Sequence, residues 1–487
     1  MSDRPSRDAN LDPEDWEAFR HFAHEIVDAM IDRQRVIAEG PVWRAVPSDV
    51  KARMATPAPQ AATAYAEIRR DLDELVLPYA TGNTHPRFWG WVHGSGTPGG
   101  ALAEFVAAAI NANCGGRDHG AIYLERAVIG WARDWFGLPA TAGGLLVSGS
   151  SMANLLGLAA ARQRCAGADL RQHGLAGRPL VAYASSEAHS SLVKAMETLG
   201  LGREALRKIP VDADYRMDVA ALAARVAADR TAGSLPFAVV ATAGTVNIGA
   251  FDDLGALADL CAREALWLHV DGAFGALVKL APDLAPLVKG IERADSIAFD
   301  FHKWLHVPYD AGCVLTRDAD SLTEAFGGRP DYLASAGGLA GGEPWPSDLG
   351  VELSRGDRAL KIWWTIKEQG LERLGQAIAR NCRQAKYLAE RLRGCNAIEI
   401  SAPVPLNIVC CRYVAPGLDG PDLDALNVAI VVALQESGVA APSTTRLEGR
   451  VCIRVCIANH RSRDADFDLL AEAIAETGAR LAAAALP

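Results

Sequence analysis

The chain has 487 residues, 50% of them hydrophobic, and a formal net charge of -10. That length buries a large core and suggests two or three domains. The acidic balance argues against nucleic acid or an anionic membrane as the main partner, and the charged runs are short and mixed in sign.

None of the ten cysteines forms a CxxC pair or lies near a histidine at zinc-finger spacing. Free buried thiols in a reducing compartment are expected, and no metal site. The N-terminal MSDRPSRDANLDPEDW is polar and lacks an apolar signal core. No stretch approaches the roughly 18 apolar residues of a membrane span. The expectation is a soluble, cytoplasmic protein.

Residues 12–38 read as an amphipathic helix. Asp12 caps it, Pro13 suits its first turn, and Gly40 follows its end. Trp16, Phe19, Ala23, Ile26, Val27 and Met30 recur at helical spacing, a stripe that needs a covering surface such as a partner subunit. PVWRAVP and ATPAPQ are extended, Pro-punctuated linker, so residues 1–84 form an N-terminal helical arm with a dimerisation role. Across residues 85–375 short apolar runs alternate with helical ones. GLLVS (144–148), LVAYAS (180–185), FAVVATAG (237–244), LWLHVDG (266–272), SIAFD (296–300) and AGCVLT (311–316) read as buried strands, with helices at 151–164, 189–199 and 253–264. That alternation predicts an α/β domain with a parallel sheet covered on both faces. Residues 376–487 read as a smaller α+β domain. A long helix (372–394) leads into it, followed by strands near 398 and 407, a helix near 422–437, a strand at 450–457 and a last helix.

In such a sheet ligands bind beyond the carboxyl ends of the strands. Five segments fall at those ends. SGSSMAN opens a helix, and Ser148, Gly149, Ser150 and Ser151 can cradle a phosphate with free N–H groups and the helix dipole. Alone, such a start is often only a cap. SSEAHSS carries His189, able to stack on an aromatic ring or to serve as a structural histidine. ATAGTVNIG places Thr245, a hydrogen-bonding group, between Gly244 and Gly249, or is an ordinary Gly-rich turn. In WLHVDGAF, Asp271 ends an apolar strand, where a carboxylate needs a charged or hydrogen-bonding partner such as a protonated pyridine nitrogen, and Ala273 is small enough to lie beneath a ring. In DFHKWL, Lys303 sits among His302, Trp304 and Leu305, suited to a Schiff-base amine or to snorkelling toward solvent. Together these groups serve one molecule, pyridoxal 5'-phosphate (PLP).

On the histidine of AHSS, WLHVDGAF and HKWL, the chain resembles the group II PLP-dependent amino-acid decarboxylases, from LDPEDWEAF nearly to VCIRVCIANHRS. The resemblance implies a fold-type-I transferase fold, aspartate-aminotransferase-like, and a homodimer with sites built at the subunit interface. It implies that Lys303 forms the imine, Asp271 pairs with the pyridine nitrogen and His189 stacks on the ring. It places Ser148 to Ser151 and His302 at the phosphate. It also implies a mobile loop tyrosine that protonates the substrate carbon after decarboxylation; RPDYLASAGGLAGGE supplies Tyr332 among glycines.

The expected reaction is decarboxylation of an L-amino acid to an amine. Trp91, Val92 and His93 read as pocket-facing, and Arg117, Asp118 and His119 stand where small or aromatic residues are expected. Arg117 and His119 are therefore candidates for contacting a polar substrate or for lining an interface, which leaves the substrate class open. Other expectations on this scaffold are an aldehyde synthase, an aminotransferase or a carbon–carbon lyase; the tyrosine favours simple decarboxylation. A catalytically dead scaffold has no use for Lys303, Asp271 and His189 together. GSGTPG (94–99) matches G-x-G-x-x-G, but it follows no clean strand and carries Pro98 in its turn, which disfavours a dinucleotide-binding oxidoreductase.

Overall fold

A computed structural model describes residues 10–167, 170–329, 333 and 337–485. Seven strands form the main sheet: β1 (Gly143–Val147), β2 (Leu180–Ser185), β3 (Leu206–Ile209), β4 (Leu235–Thr242), β5 (Trp267–Asp271), β6 (Ser296–Asp300) and β7 (Gly312–Thr316), in the order β1-β7-β6-β5-β4-β2-β3. The β3–β2–β4–β5–β6 run is parallel, while β7 lies antiparallel to both β6 and β1. The carboxyl ends of β1, β2, β4, β5 and β6 therefore share one edge.

The parallel strands read as unbroken apolar runs because both faces of the sheet are covered. Along β4, Val239 and Ala241 enter one core cluster and Ala238 and Val240 the other, the period-two alternation of a strand buried on both sides. The strands expected from sequence are all present. β3 is an addition, short and with Arg207 and Lys208 only partly covered, so it carried no apolar signal.

A second sheet, β8 (Ile398–Ile400), β9 (Ile408–Tyr413), β10 (Ser443–Leu447) and β11 (Arg450–Cys456), is antiparallel with order β10-β11-β9-β8. β10 was not foreseen; its central residues Thr444 to Arg446 are polar and none of them is buried. Trp89, Leu388, Val409, Val455 and Phe467 share its core, so the segment before residue 90 is sewn into the C-terminal layer.

The N-terminal helix spans Trp16–Arg35 and is capped by Asp15, which accepts from the N–H groups of Glu17 and Ala18, rather than by Asp12. None of its residues is fully buried. Among the described residues no helix is long and apolar enough to cross a membrane, and no cluster of His, Cys, Asp and Glu is arranged to hold a metal ion.

Candidate active site

The strand register sets the site. Thr242 pairs with Asp271, Asp271 with Ala298, and Asp300 with Gly312, so the terminal residues of β4, β5 and β6 lie side by side. Above them opens a cavity of about 480 Å³. It is lined by Ser148, Gly149, Ser150, Ser151, His189, Asp271, Ala273, His302 and Lys303, with Trp91, Val92 and His93 on another wall. Three expected residues lie elsewhere. Thr245 is fully buried in its own turn, where Oγ1 accepts the Ala250 N–H at 3.0 Å; Thr242 and Gly244 of that segment face the cavity instead. Arg117 stacks over the Trp345 ring at 4.5 Å, and His119 is half-buried with Nε2 3.2 Å from the Asn113 carbonyl. Both belong to a chain segment that grips residues 337–345 rather than the cavity. Tyr332 lies outside the described residues.

Lys303 is held by the Asp300 carboxylate at 2.9 Å, and the other oxygen of Asp300 accepts the Ser150 N–H at 2.6 Å. Asp300 thus ties the amine to the start of helix Ser150–Ala166. The Asp271 carboxylate accepts from the Asn154 amide at 3.0 Å and the Ala273 N–H at 3.2 Å. Burial pushes its pKa up, opposed by the charge of Lys303 and by those bonds. His189 is shifted down by burial, and Nδ1 accepts the Ser191 N–H at 3.2 Å. His302 Nδ1 accepts the Ala311 N–H at 3.0 Å, and burial lowers its pKa as well. Both rings therefore keep a neutral form with Nε2 carrying the proton.

These groups fit PLP. Ser150 Oγ is buried without a hydrogen-bond partner, at a helix N-terminus that favours an anion. Lys303 offers an amine for an aldehyde, and Asp271 a carboxylate for a ring nitrogen. Close backbone approaches shape the cradle: a Cβ on Gly312 would lie 2.4 Å from Gly149 Cα, and one on Gly94 would lie 1.8 Å from the His302 carbonyl oxygen.

The model of the pyridoxal-dependent decarboxylase conserved domain matches residues 47–414. The chain belongs to this family. It is 35% identical over 450 residues to an aromatic-L-amino-acid decarboxylase of Bacillus atrophaeus, covering 92% of each chain. It is 32% identical over 428 residues to an L-2,4-diaminobutyrate decarboxylase of Rhizobium meliloti, covering 87% of this chain and 84% of that one. A crystal structure of Oryza sativa TDC with PLP and tryptamine superposes with a TM-score of 0.89 at 27% identity, covering 97% and 100% of the two chains. The protein is a PLP-dependent carboxy-lyase of fold type I, converting an amino acid to an amine and carbon dioxide.

Sequence reasoning missed several lining residues: Asn154, Ser191, Phe274, Asp300 and Tyr309. Asp300 carried a readable signal, an acid ending the apolar run SIAFD as Asp271 ends its own. Asn154 closes the SGSSMAN run without having been singled out in it, and Tyr309, beyond the lysine turn, carried no signal.

Proposed function

We propose that this decarboxylase acts on an aromatic L-amino acid. The observation that carries the reading is the cavity mouth. Phe88 and His93 stack at 5.6 Å, Trp91 and His93 at 5.6 Å, and Tyr309 meets His93 edge-on at 6.1 Å. Flat ring faces favour a flat side chain. Among the described lining residues Lys303 is the one Lys or Arg, and it is committed to Asp300. Among these described lining residues an acidic side chain would find no free cation, and an amine side chain no carboxylate beyond the engaged Asp271 and Asp300. The names of the Bacillus relative and of rat and pig relatives at 32% and 30% identity point the same way.

Lys303 would hold the cofactor covalently, Asp271 would pair with its ring nitrogen, His189 would cover its face, and Ser148 to Ser151 with His302 would bind its phosphate. Bound PLP supplies an electron-poor ring that takes up the electrons of the bond to the departing carboxylate. Tyr332 returns a proton to the substrate carbon; Tyr332→Phe should lose amine yield and gain aldehyde. A second copy of the chain covers the apolar faces left open, Leu102, Phe105 and Ile110 on helix Pro98–Ile110 and Trp16 and Ile31 on the N-terminal helix. Sedimentation should give a dimer at micromolar concentration, and an active monomer would refute it. The protein works in the cytoplasm.

The deciding experiment measures amine and carbon dioxide released from L-tryptophan, L-tyrosine, L-phenylalanine, L-glutamate and L-2,4-diaminobutyrate. The aromatic substrates should give the highest kcat/KM. Glutamate or diaminobutyrate at the head of the ranking would overturn the proposal.

A further inference from the structure

Behind the cavity floor the buried polar side chains join into one line. Trp267 Nε1 lies 2.7 Å from Ser296 Oγ, and Ser296 Oγ lies 2.7 Å from His269 Nδ1. His269 Nε2 lies 2.8 Å from Asn154 Oδ1. Asn154 Nδ2 reaches Asp271 Oδ2 at 3.0 Å and Ser191 Oγ at 3.3 Å, and Ser191 Oγ lies 2.9 Å from His189 Nδ1. Ser296, His269, Asn154, Asp271 and Ser191 are all buried, His269 completely.

The proton positions follow from the two ends. The Asp271 carboxylate accepts, so Asn154 turns its amide nitrogen to it and its carbonyl to His269. A carbonyl only accepts, so His269 carries its proton on Nε2. Burial pushes the His269 pKa down to about 3, so the ring is neutral near pH 7 and Nδ1 holds a lone pair. Ser296 donates to that lone pair and accepts from the indole N–H of Trp267, which has no acceptor role. The second amide hydrogen of Asn154 goes to Ser191 Oγ, and the Ser191 hydroxyl donates to His189 Nδ1. Every link donates in one direction, from Trp267 toward the cavity.

We propose that Trp267, Ser296, His269 and Asn154 form a positioning relay that orients Asp271 and His189 together. It rests on the roles proposed above for those two residues. A flip of the Asn154 amide would set a carbonyl against the Asp271 carboxylate, and the His269 Nε2–H forbids that flip by demanding an acceptor. One fixed amide thus sets both the group beneath the ring nitrogen and the group over the ring face. The helix is shaped for the arrangement: a Cβ on Gly157 would lie 2.7 Å from His269 Nδ1 and 3.2 Å from Ser296 Oγ.

The test has two parts. Solid-state ¹⁵N spectra of histidine-labelled protein without cofactor, assigned by loss of the signal in His269→Gln, should show a neutral His269 with a protonated Nε2 from pH 5.5 to 8.5. A protonated Nδ1, or titration in that range, overturns the relay. Cofactor dissociation constants and absorption spectra are then compared for wild type, His269→Leu, His269→Gln and Asp271→Asn. Leucine should raise the constant by about tenfold or more, as loss of a supporting hydrogen bond behind a ligand-holding group does. Glutamine, which keeps a donor near the Nε2 position, should stay within about threefold of wild type. Wild-type binding by a folded His269→Leu overturns the proposal. So does a folded His269→Gln as weak as His269→Leu, since packing alone would then be at stake. If His269→Leu does not fold, the tautomer and the glutamine variant decide. Wild-type binding and spectrum in Asp271→Asn would instead sink the role given to Asp271 and leave the measured tautomer standing.

Discussion

Asp271, Asn154 and His269 on the floor of the cavity are tied by hydrogen bonds on both sides, and Asp271 is only 4% exposed. At the mouth, Trp91 and Tyr309 are 57% and 47% exposed and meet His93 through ring contacts, Trp91 stacked and Tyr309 edge-on. A buried polar group without a partner costs about 1–3 kcal/mol, so a floor built of such groups tolerates one arrangement. Ring contacts are worth about 0.5–1.5 kcal/mol each and accept a range of geometries. The floor therefore suits the invariant part of the chemistry, the cofactor, and the mouth suits the variable part, the substrate side chain.

That contrast is open to direct attack. Lys303→Ala should abolish both the visible absorbance of the lysine-bound cofactor and all turnover; a borohydride-reducible adduct persisting in the variant would place the attachment elsewhere. Asp271→Asn should lower kcat by about 10²–10³-fold, the cost of losing one preorganised electrostatic partner. A kcat near wild type would mean the floor is scaffolding rather than machinery.

Acid should weaken the whole fold by a mechanism the floor shares. Burial holds His269 and His306 near a pKa of about 3 and His460 near about 2, against a usual 6.5. Below pH 6.5 the unfolded chain protonates these rings and the folded one does not, so stability is lost as pH falls from about 6.5 toward 3. The loss approaches about 1.4 kcal/mol per pH unit for each ring. Asp252 acts in the opposite sense. Burial raises its pKa from 3.8 to about 6, so the folded state holds the extra proton in that interval and offsets one ring. The urea midpoint should therefore be lower at pH 5 than at pH 7, and equal midpoints would show that the folded protein protonates the rings freely.

At the mouth, Trp91→Ala should raise KM for aromatic substrates by about tenfold, the upper range for one aromatic contact, with kcat nearly unchanged. A fall in kcat with constant KM would erase the division between mouth and floor. Arg117→Ala should have the smallest effect. Its stacking on Trp345 is worth about 0.5–1 kcal/mol, so the variant should melt slightly earlier and rank substrates as the wild type does. A changed ranking would return Arg117 to the substrate pocket.

The strand-end residues were legible in the sequence because burying a charge is expensive. An acid that closes an apolar run, as Asp271 does, or a lysine set among apolar residues just past a strand end, as Lys303 is, has few explanations other than a partner in the site. Apolar runs of strand length likewise revealed the parallel sheet, because both of its faces are covered. Strands with polar faces, β3 and β10, gave no such contrast. Residues on loops and in helix interiors were a different matter. Thr245, Arg117 and His119 were expected at the cavity from their neighbours in the chain, yet a turn bond to Ala250, a stacking contact with Trp345 and a backbone carbonyl hold them elsewhere. Asn154 and Ser296 are 142 residues apart, and both reach His269 only because β5 and β6 pair beneath helix Ser150–Ala166. Local pattern determined which residues carry charge into the interior. Which of them meet, and through which hydrogen bonds, was decided by tertiary packing, because a hydrogen bond depends on distances of about 3 Å that no spacing along the chain records.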